Sequence, residues 1–161
     1  MNLSTSKVLD GVETDVAINY YADRVLILVT QLGKVGSLIQ ASIPATVPLL
    51  APSSTVDGMP LIEPPAAVEL TTLFGSAPSG RIATLHSLYA THIATLVWTM
   101  NSTDKAADNG DRRNIIVGLA LKKQVDDRGD SAVLSEREQA IFRGVIKTIV
   151  ELVQGTDTRP T

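Results

Sequence analysis

The chain has no cysteine among its 161 residues, which excludes disulfide bridges, thiolate-bound metal centres and a cysteine nucleophile. Aromatic residues make up only 4% of the sequence, and the net charge is -3, from 14 Lys+Arg against 17 Asp+Glu. This balance gives no basic surface for nucleic acid or for an acidic membrane. The first seven residues are polar and lack the apolar run of a signal peptide. We therefore expect a protein of the cytoplasm, with the nucleus as a further location.

Strand patterns dominate the first half of the sequence. Residues 12–20 alternate between apolar and polar side chains, which is typical of a half-buried strand. Residues 24–31 carry five consecutive apolar side chains and predict a central strand covered on both faces. The three residues between these runs predict a hairpin. Shorter apolar runs predict further strands at 37–43, 67–74 and 115–121.

Helical periodicity appears twice in the second half. Apolar residues recur at helical spacing from Gly80 to about Asn101, and again from Ser135 to Gln154. Ser135 and Glu138 form a capping box at the start of the second helix. Strands that precede helices favour an α+β fold, a mainly antiparallel β-sheet with two principal α-helices packed against it. We expect one domain over 1–161, with a folded core at 8–155 and a frayed tail at 156–161.

Proline is concentrated in one segment. Six of the eight prolines lie at 44–65, and a proline lacks the N–H that a central strand or a helix interior needs. This composition predicts a long exposed loop, which we expect to be a mobile arm that orders against a partner. The alternative is that its apolar residues pack on the edge of the domain's own sheet.

The glycine-rich turn Gly33-Lys34-Val35-Gly36-Ser37 is a candidate for a phosphate-binding loop. That motif needs a glycine where Leu28 stands and Ser or Thr where Val35 stands. Gly33 and Gly36 are therefore predicted to supply positive φ angles in a sharp turn. A small anion- or nucleotide-binding module that uses this turn remains the alternative function. The spacing of the two histidines, six residues apart, does not fit a helical metal pair, and we predict no catalytic, cofactor or metal site.

The first predicted helix has an uncharged face that carries threonines and the single tryptophan. A charge-free face with an aromatic residue has the composition of an interface centre. Burial against the chain's own domain would explain the same composition, and the sequence leaves both open. The partner-binding candidates on this helix are Leu88, Thr91, Thr95, Trp98 and Thr99.

The segment 25–38 reads VLILVTQLGKVGSL and resembles the signature of the proteasome assembly chaperone 3 family. That signature is a hydrophobic strand followed by Val-Thr-Gln, Gly-Lys, a second glycine and a small hydroxyl residue. The order of later elements is similar as well, and the resemblance spans roughly 12–152. The proline-rich insertion makes the chain more like a fungal member. Gln31, Lys34 and Ser37 of this segment are further candidates for partner contacts.

The resemblance implies a function. It implies a non-enzymatic chaperone of 20S proteasome assembly that pairs with a structurally similar chaperone 4-like protein. Such a heterodimer would bind proteasome α subunits and promote formation of the α-ring, with a homodimer as an alternative form in isolation. It implies neither a cofactor nor a nucleic-acid or membrane partner.

Overall fold

The chain folds into a sheet with two helices. The computed structural model describes residues 2–31, 33, 36–44, 46–47, 49, 55–56, 59–60, 63–75, 80–103, 113–122 and 136–155. The helices are α1 (Gly80–Thr103) and α2 (Glu136–Gly155). The strands are β1 (Asn2–Leu9), β2 (Val12–Tyr20), β3 (Arg24–Thr30), β4 (Ser37–Ser42), β5 (Thr55–Val56), β6 (Met59–Pro60), β7 (Glu69–Phe74) and β8 (Asn114–Ala120).

Six strands form one sheet in the order β1-β2-β3-β8-β4-β7. Four of the five strand pairings are antiparallel, and β3 pairs with β8 in parallel. The parallel pair arises because β4, β7 and α1 intervene in the sequence and return the chain to the middle of the sheet. The predicted α+β class is confirmed, and the predicted hairpin between β2 and β3 is closed by a bond from Tyr21 N to Arg24 O of 2.9 Å.

The strand β1 was not predicted. It pairs with β2 along its whole length, and the two-residue connection uses Asp10 (φ 50°) and Gly11 (φ 76°). Positive φ at both loop residues fits the right-handed twist of a tight hairpin, and Asp-Gly favours it. The Nε atom of Arg137 on α2 donates to Asp10 at 2.7 Å, which ties the helix to this hairpin. The folded part therefore begins at Asn2 and not at residue 8.

Both helices lie on one face of the sheet. The alternation of β2 and β3 points Val16, Ile18 and Ile27 into a core that α1 and α2 share, and all three are at most 1% exposed. The opposite residues of β3, Leu26 and Leu28, are only half-buried. The prediction that both faces of this strand are covered is wrong, because the two helices pack on the same side. We call the side without a described helix the open face.

The proline-rich segment is described in part. Strands β5 and β6 pair within it as a separate two-stranded sheet. Val47 and Leu49 pack against the main core, so this part of the segment lies on the domain and is not an exposed loop. Burial of apolar area accounts for that position. The residues at 156–161, predicted to fray, lie outside the described part of the chain.

Of the helices that the structure describes, neither is long and apolar enough to cross a membrane.

Candidate functional site

Gln31, at the end of β3, lies inside the fold and is 8% exposed. Its side-chain amide donates to Thr14 Oγ1 at 3.1 Å, and its carbonyl oxygen accepts from the backbone N–H of Lys122 at 2.9 Å. The backbone N–H of Gln31 donates to Ala120 O at 2.8 Å. Gln31 thus joins β2, β3 and the end of β8. Because Gln31 is buried and its side chain is bonded within the fold, this candidate is a structural residue here.

The turn after Gln31 has the predicted backbone geometry. Gly33 and Gly36 have φ angles of 68° and 69°, which confirms their role in turn geometry. Gly36 also lies directly against β8, because a Cβ atom there would be 2.1 Å from Leu119 O. Ser37 is half-buried, and its hydroxyl would be 3.0 Å from a Cβ atom added at Gly75. Lys34 lies outside the described residues, so its role as a partner contact stays a prediction.

The alternative of an anion- or nucleotide-binding turn also stays a prediction. Close packing against β8 already explains why Gly36 is a glycine, so a bound phosphate is not required to explain it. A thermal-shift measurement with ATP and with inorganic phosphate tests the alternative directly. Stabilisation by either one at micromolar concentration would support it.

The charge-free face of α1 is mostly inside the protein. Thr95, Trp98 and Thr99 are 2%, 0% and 5% exposed, and their surroundings belong to the chain's own core. Of the two explanations that the sequence left open, internal burial therefore accounts for these three positions. They are corrected from partner-binding candidates to core residues, because a buried side chain is not accessible to a partner. Leu88 and Thr91 are half-buried, and their assignment as partner contacts stays a prediction.

The threonines of α1 explain how a polar face can be buried. Thr95 Oγ1 donates to the Thr91 carbonyl at 2.8 Å, so its hydroxyl is satisfied by the helix itself. The Trp98 indole N–H donates to the backbone carbonyl of Arg113 at 2.8 Å, which anchors α1 to the residue that precedes β8. Uncharged residues that satisfy their own polar groups cost little to bury.

Thr99 is the exception, and it gives a prediction. Its Oγ1 is buried and has no hydrogen-bond partner. Thr99→Val removes the unsatisfied hydroxyl and keeps the shape, so we expect an increase of about 1 kcal/mol in the free energy of unfolding. Thr95→Val is the matched control, because it removes a hydroxyl that is bonded, and it should give no increase. Urea denaturation measures both, and equal effects of the two substitutions would contradict the prediction.

Two histidines of α1 are partly buried. The His92 ring packs edge-to-face on Phe142 of α2, with centroids 5.3 Å apart, and its Nδ1 lies 3.0 Å from the Leu88 carbonyl oxygen. Burial lowers the pKa of His92 below its ordinary value of 6.5, although the bond to Leu88 opposes that shift. Burial also lowers the pKa of His86. Both rings therefore favour the neutral form in the folded protein.

The lowered pKa values predict a pH dependence of stability. As the pH falls through 6.5, the unfolded chain takes up protons on His86 and His92 before the folded protein does. The free energy of unfolding should therefore decrease as the pH is lowered through this range, because the unfolded state binds more protons and is stabilised by them. We expect the melting temperature to decrease between about pH 7.5 and about pH 5.5. His86→Gln/His92→Gln should flatten this decrease, and an unchanged slope in the variant would contradict the assignment.

Across the described residues, no cluster of three or more His, Asp or Glu side chains is arranged to hold a metal ion. The polar groups that the sequence singled out serve the fold, as the bonds of Gln31 and Thr95 show. Among the described parts of the chain, the open face of the sheet is the surface against which no helix packs.

One row of directly paired residues crosses the open face from β7 to β1. Phe74 at one end is 66% exposed, Leu28 and Leu38 are half-buried, and no member is charged. Next to the row, Ile116 pairs with Leu26 and is 7% exposed, although it lies outside the core that the helices share. The open-face row consists, in order, of Phe74, Leu38, Gly118, Leu28, Ala17 and Ser4.

Sequence reasoning missed the open-face row although its signal was present. Leu26 and Leu28 stand at the outward positions of β3 where a strand with one solvated face carries polar residues. The sequence analysis predicted that both faces of this strand are covered, whereas both described helices lie on the other side of the sheet. An apolar strip that no described helix covers, with an exposed aromatic residue at its end, is a candidate for an interaction surface.

Comparisons with known proteins give one informative result. No family model matches the chain, and no curated protein matches it significantly in sequence. Among solved structures, a chain of a complex described as a novel chaperone complex for yeast 20S proteasome assembly has a similar fold. The TM-score is 0.53 at 12% sequence identity, and the match covers 95% of this chain and 98% of that chain. The two chains therefore share a fold from end to end.

Proposed function

We propose that this chain is a non-enzymatic chaperone that assists assembly of the 20S proteasome. The observation that carries the proposal is the fold match, which covers 95% of this chain and 98% of a chain from a chaperone complex for 20S proteasome assembly. The segment 25–38 supports it independently, since its resemblance to the signature of proteasome assembly chaperone 3 rests on sequence and not on fold. Neither argument involves a catalytic group.

The finer form of the proposal is a paired chaperone. A chaperone 4-like protein of similar fold would be its partner, and the heterodimer would bind α subunits and promote α-ring formation in the cytoplasm and nucleus. The open-face row supports the pairing step, because it is uncharged and ends in Phe74, which is 66% exposed, and covering such a strip with a partner removes apolar area from water.

The mechanism is thermodynamic linkage. A chaperone that binds correctly placed α subunits more tightly than misplaced ones shifts assembly towards the correct ring by that difference in free energy. It must also leave when assembly proceeds, so its contact with the ring should be moderate and partly polar. The contact with its partner chaperone should be more apolar and longer-lived.

Capture from cells tests the proposal. We expect the tagged full-length chain, after brief cross-linking, to enrich a second small chaperone and proteasome α subunits over β subunits. A tagged unrelated protein of similar size provides the background. Enrichment of neither the α subunits nor a second chaperone would contradict the proposal.

A further inference from the structure

We infer that the outer edge of β7 binds an extended peptide segment of another protein, which adds to the sheet as an antiparallel strand beside Glu69–Phe74. The segment is rich in apolar and β-branched residues and carries a basic residue opposite Glu69. This inference goes beyond the proposed function and does not depend on it. It concerns the backbone edge of one strand and not the open face.

The edge is accessible along nearly its whole length. β7 is the last strand of the sheet, and among the strands that the structure describes only β4 pairs with it. Five of its six residues are exposed, and the sixth, Leu70, packs against the core. In the described part of the chain, residues 69–74 make no hydrogen bond or ion pair besides the ladder with β4. About three N–H and three C=O groups therefore point away from β4 and can bond to a further strand.

The opposite edge of the sheet is protected, whereas the β7 edge is not. Lys7 of β1 pairs with Thr14, which is fully buried, and the Lys7 ammonium group forms an ion pair with Glu151 of α2. A charged residue that points inward from an edge strand is one of the devices that prevent further strand pairing. β7 has no lysine, arginine or proline, and its two threonines favour extended backbone. Of the two edges, β7 is therefore the one suited to accept a strand.

The end of β7 supplies an apolar contact for the added segment. Phe74 pairs with Leu38 and Thr72 pairs with Ile39, so Leu73 is the extra residue of a bulge. Leu73 is 47% exposed and Phe74 is 66% exposed, which makes them two of the four large apolar side chains that are exposed among the described residues. In strand addition, main-chain bonds give affinity and side-chain contacts of this kind give specificity.

The charge on the edge selects the occupant. Glu69 is exposed at the start of β7 and is the only charged residue of the strand. An antiparallel segment therefore gains from a lysine or arginine near its C-terminal end, opposite Glu69, and from an apolar residue near its N-terminal end, beside Phe74. A second copy of β7 fits poorly, because self-pairing centred on Thr71 places Glu69 opposite Leu73. The occupant is therefore a segment of different sequence.

A synthetic peptide tests the inference. The probe is acetyl-Ile-Val-Thr-Val-Lys-amide, which is as long as the five-residue part of β4 that pairs with β7. Two-dimensional NMR of the isotope-labelled full chain follows its binding. We expect concentration-dependent shifts of the β7 amides and none at β1, which is the internal control. A peptide that shifts no β7 amide at millimolar concentration would overturn the inference.

N-methylation of the peptide separates strand pairing from a contact of side chains alone. One further peptide carries N-methyl groups at its first, third and fifth residues, and another carries them at its second and fourth. Successive N–H groups of a strand point to opposite sides, so only one of the two sets faces β7. We expect one methylated peptide to bind like the parent and the other to lose binding. Equal behaviour of the two peptides would contradict strand addition.

Charge reversal tests the direction of the peptide. Glu69→Lys should weaken binding of the peptide that ends in lysine by about threefold and should favour a peptide that ends in glutamate. Glu63→Lys is the matched control, because Glu63 is exposed and precedes the strand. Equal responses of the two variants would show a general effect of net charge and would contradict the antiparallel placement.

The two proposals fail separately. Shifts of the β7 amides that grow with protein concentration in the absence of peptide would assign the edge to a second copy and overturn this inference. The peptide experiments use the isolated chain, so a failure to capture α subunits and a second chaperone from cells would contradict the proposed function only.

Discussion

Replacing Gly36 with alanine should destabilise the protein by about 3 kcal/mol or more, whereas the same change at Gly33 should cost only about 1 kcal/mol. Both glycines have φ angles near 70°, a conformation that costs any other residue a similar amount. They differ in their surroundings, because an added Cβ atom at Gly33 meets nothing within 4 Å. At Gly36 it would be 2.1 Å from Leu119 O and 2.8 Å from Ala120 Cβ.

The difference between the two variants isolates the contact with β8. A Cβ atom at Gly36 would have to push the start of β4 away from the end of β8, at the point where Ser37 pairs with Leu119. Urea denaturation followed by the fluorescence of Trp98 measures both variants, since the chain has a single tryptophan and it is fully buried. Equal destabilisation of the two variants would show that the positive φ angle alone sets the cost of the substitution. The close approach of Gly36 to β8 would then contribute nothing.

The glycine turn also shows how far sequence reasoning reaches. The local pattern of β3, a turn and β4 predicted positive φ at Gly33 and Gly36, because glycine is the residue that adopts it without strain. The neighbour of Gly36 is Leu119, more than 80 positions later in the chain. The antiparallel pairing of β4 with β8 brings that residue there, and no local pattern encodes such a long-range pairing.

Strand β1 was missed for a different reason. Its outward residues are Asn2, Ser4, Ser6 and Val8, and few of its residues are strongly apolar, so its hydrophobic signal is weak. The turn Asp10-Gly11 that precedes the clear alternation of β2 was the available signal, since Asp-Gly between two alternating segments predicts a hairpin. An edge strand needs little apolar area, because only one of its faces packs and only one of its edges is paired.

The uncharged face of α1 could not be assigned from sequence. The composition of a helix face shows that the face is suited to burial. It does not show whether the chain's own domain or a partner protein covers that face. Thr95 shows why the ambiguity is physical, since a hydroxyl bonded to its own helix is compatible with either environment. The packing decides, and it places Thr95, Trp98 and Thr99 inside the domain. The proposed partner surface is therefore the open face and not this face of α1.

Substitutions at Trp98 distinguish a core position from a partner contact. Trp98 is 0% exposed, and its indole N–H donates to the Arg113 carbonyl at 2.8 Å. Trp98→Ala should therefore cost about 3–5 kcal/mol of folding stability through the cavity that it leaves. Trp98→Asp should prevent folding, because it buries a charge with no partner. Trp98→Phe keeps most of the apolar contact but leaves the Arg113 carbonyl without this donor, and should cost about 1–3 kcal/mol.

Circular dichroism across a urea titration follows all three variants, since the fluorescent residue is the one removed. If α1 presented Trp98 to a partner instead, Trp98→Asp would give a folded monomer with nearly normal stability and impaired association. The matched comparison is Leu28→Asp on the open face, where a charge can reach water at the edge of a half-buried position. We expect that variant to fold and to lose pairing, the reverse of Trp98→Asp. A folded Trp98→Asp protein would therefore contradict both the packing of α1 and the assignment of pairing to the sheet.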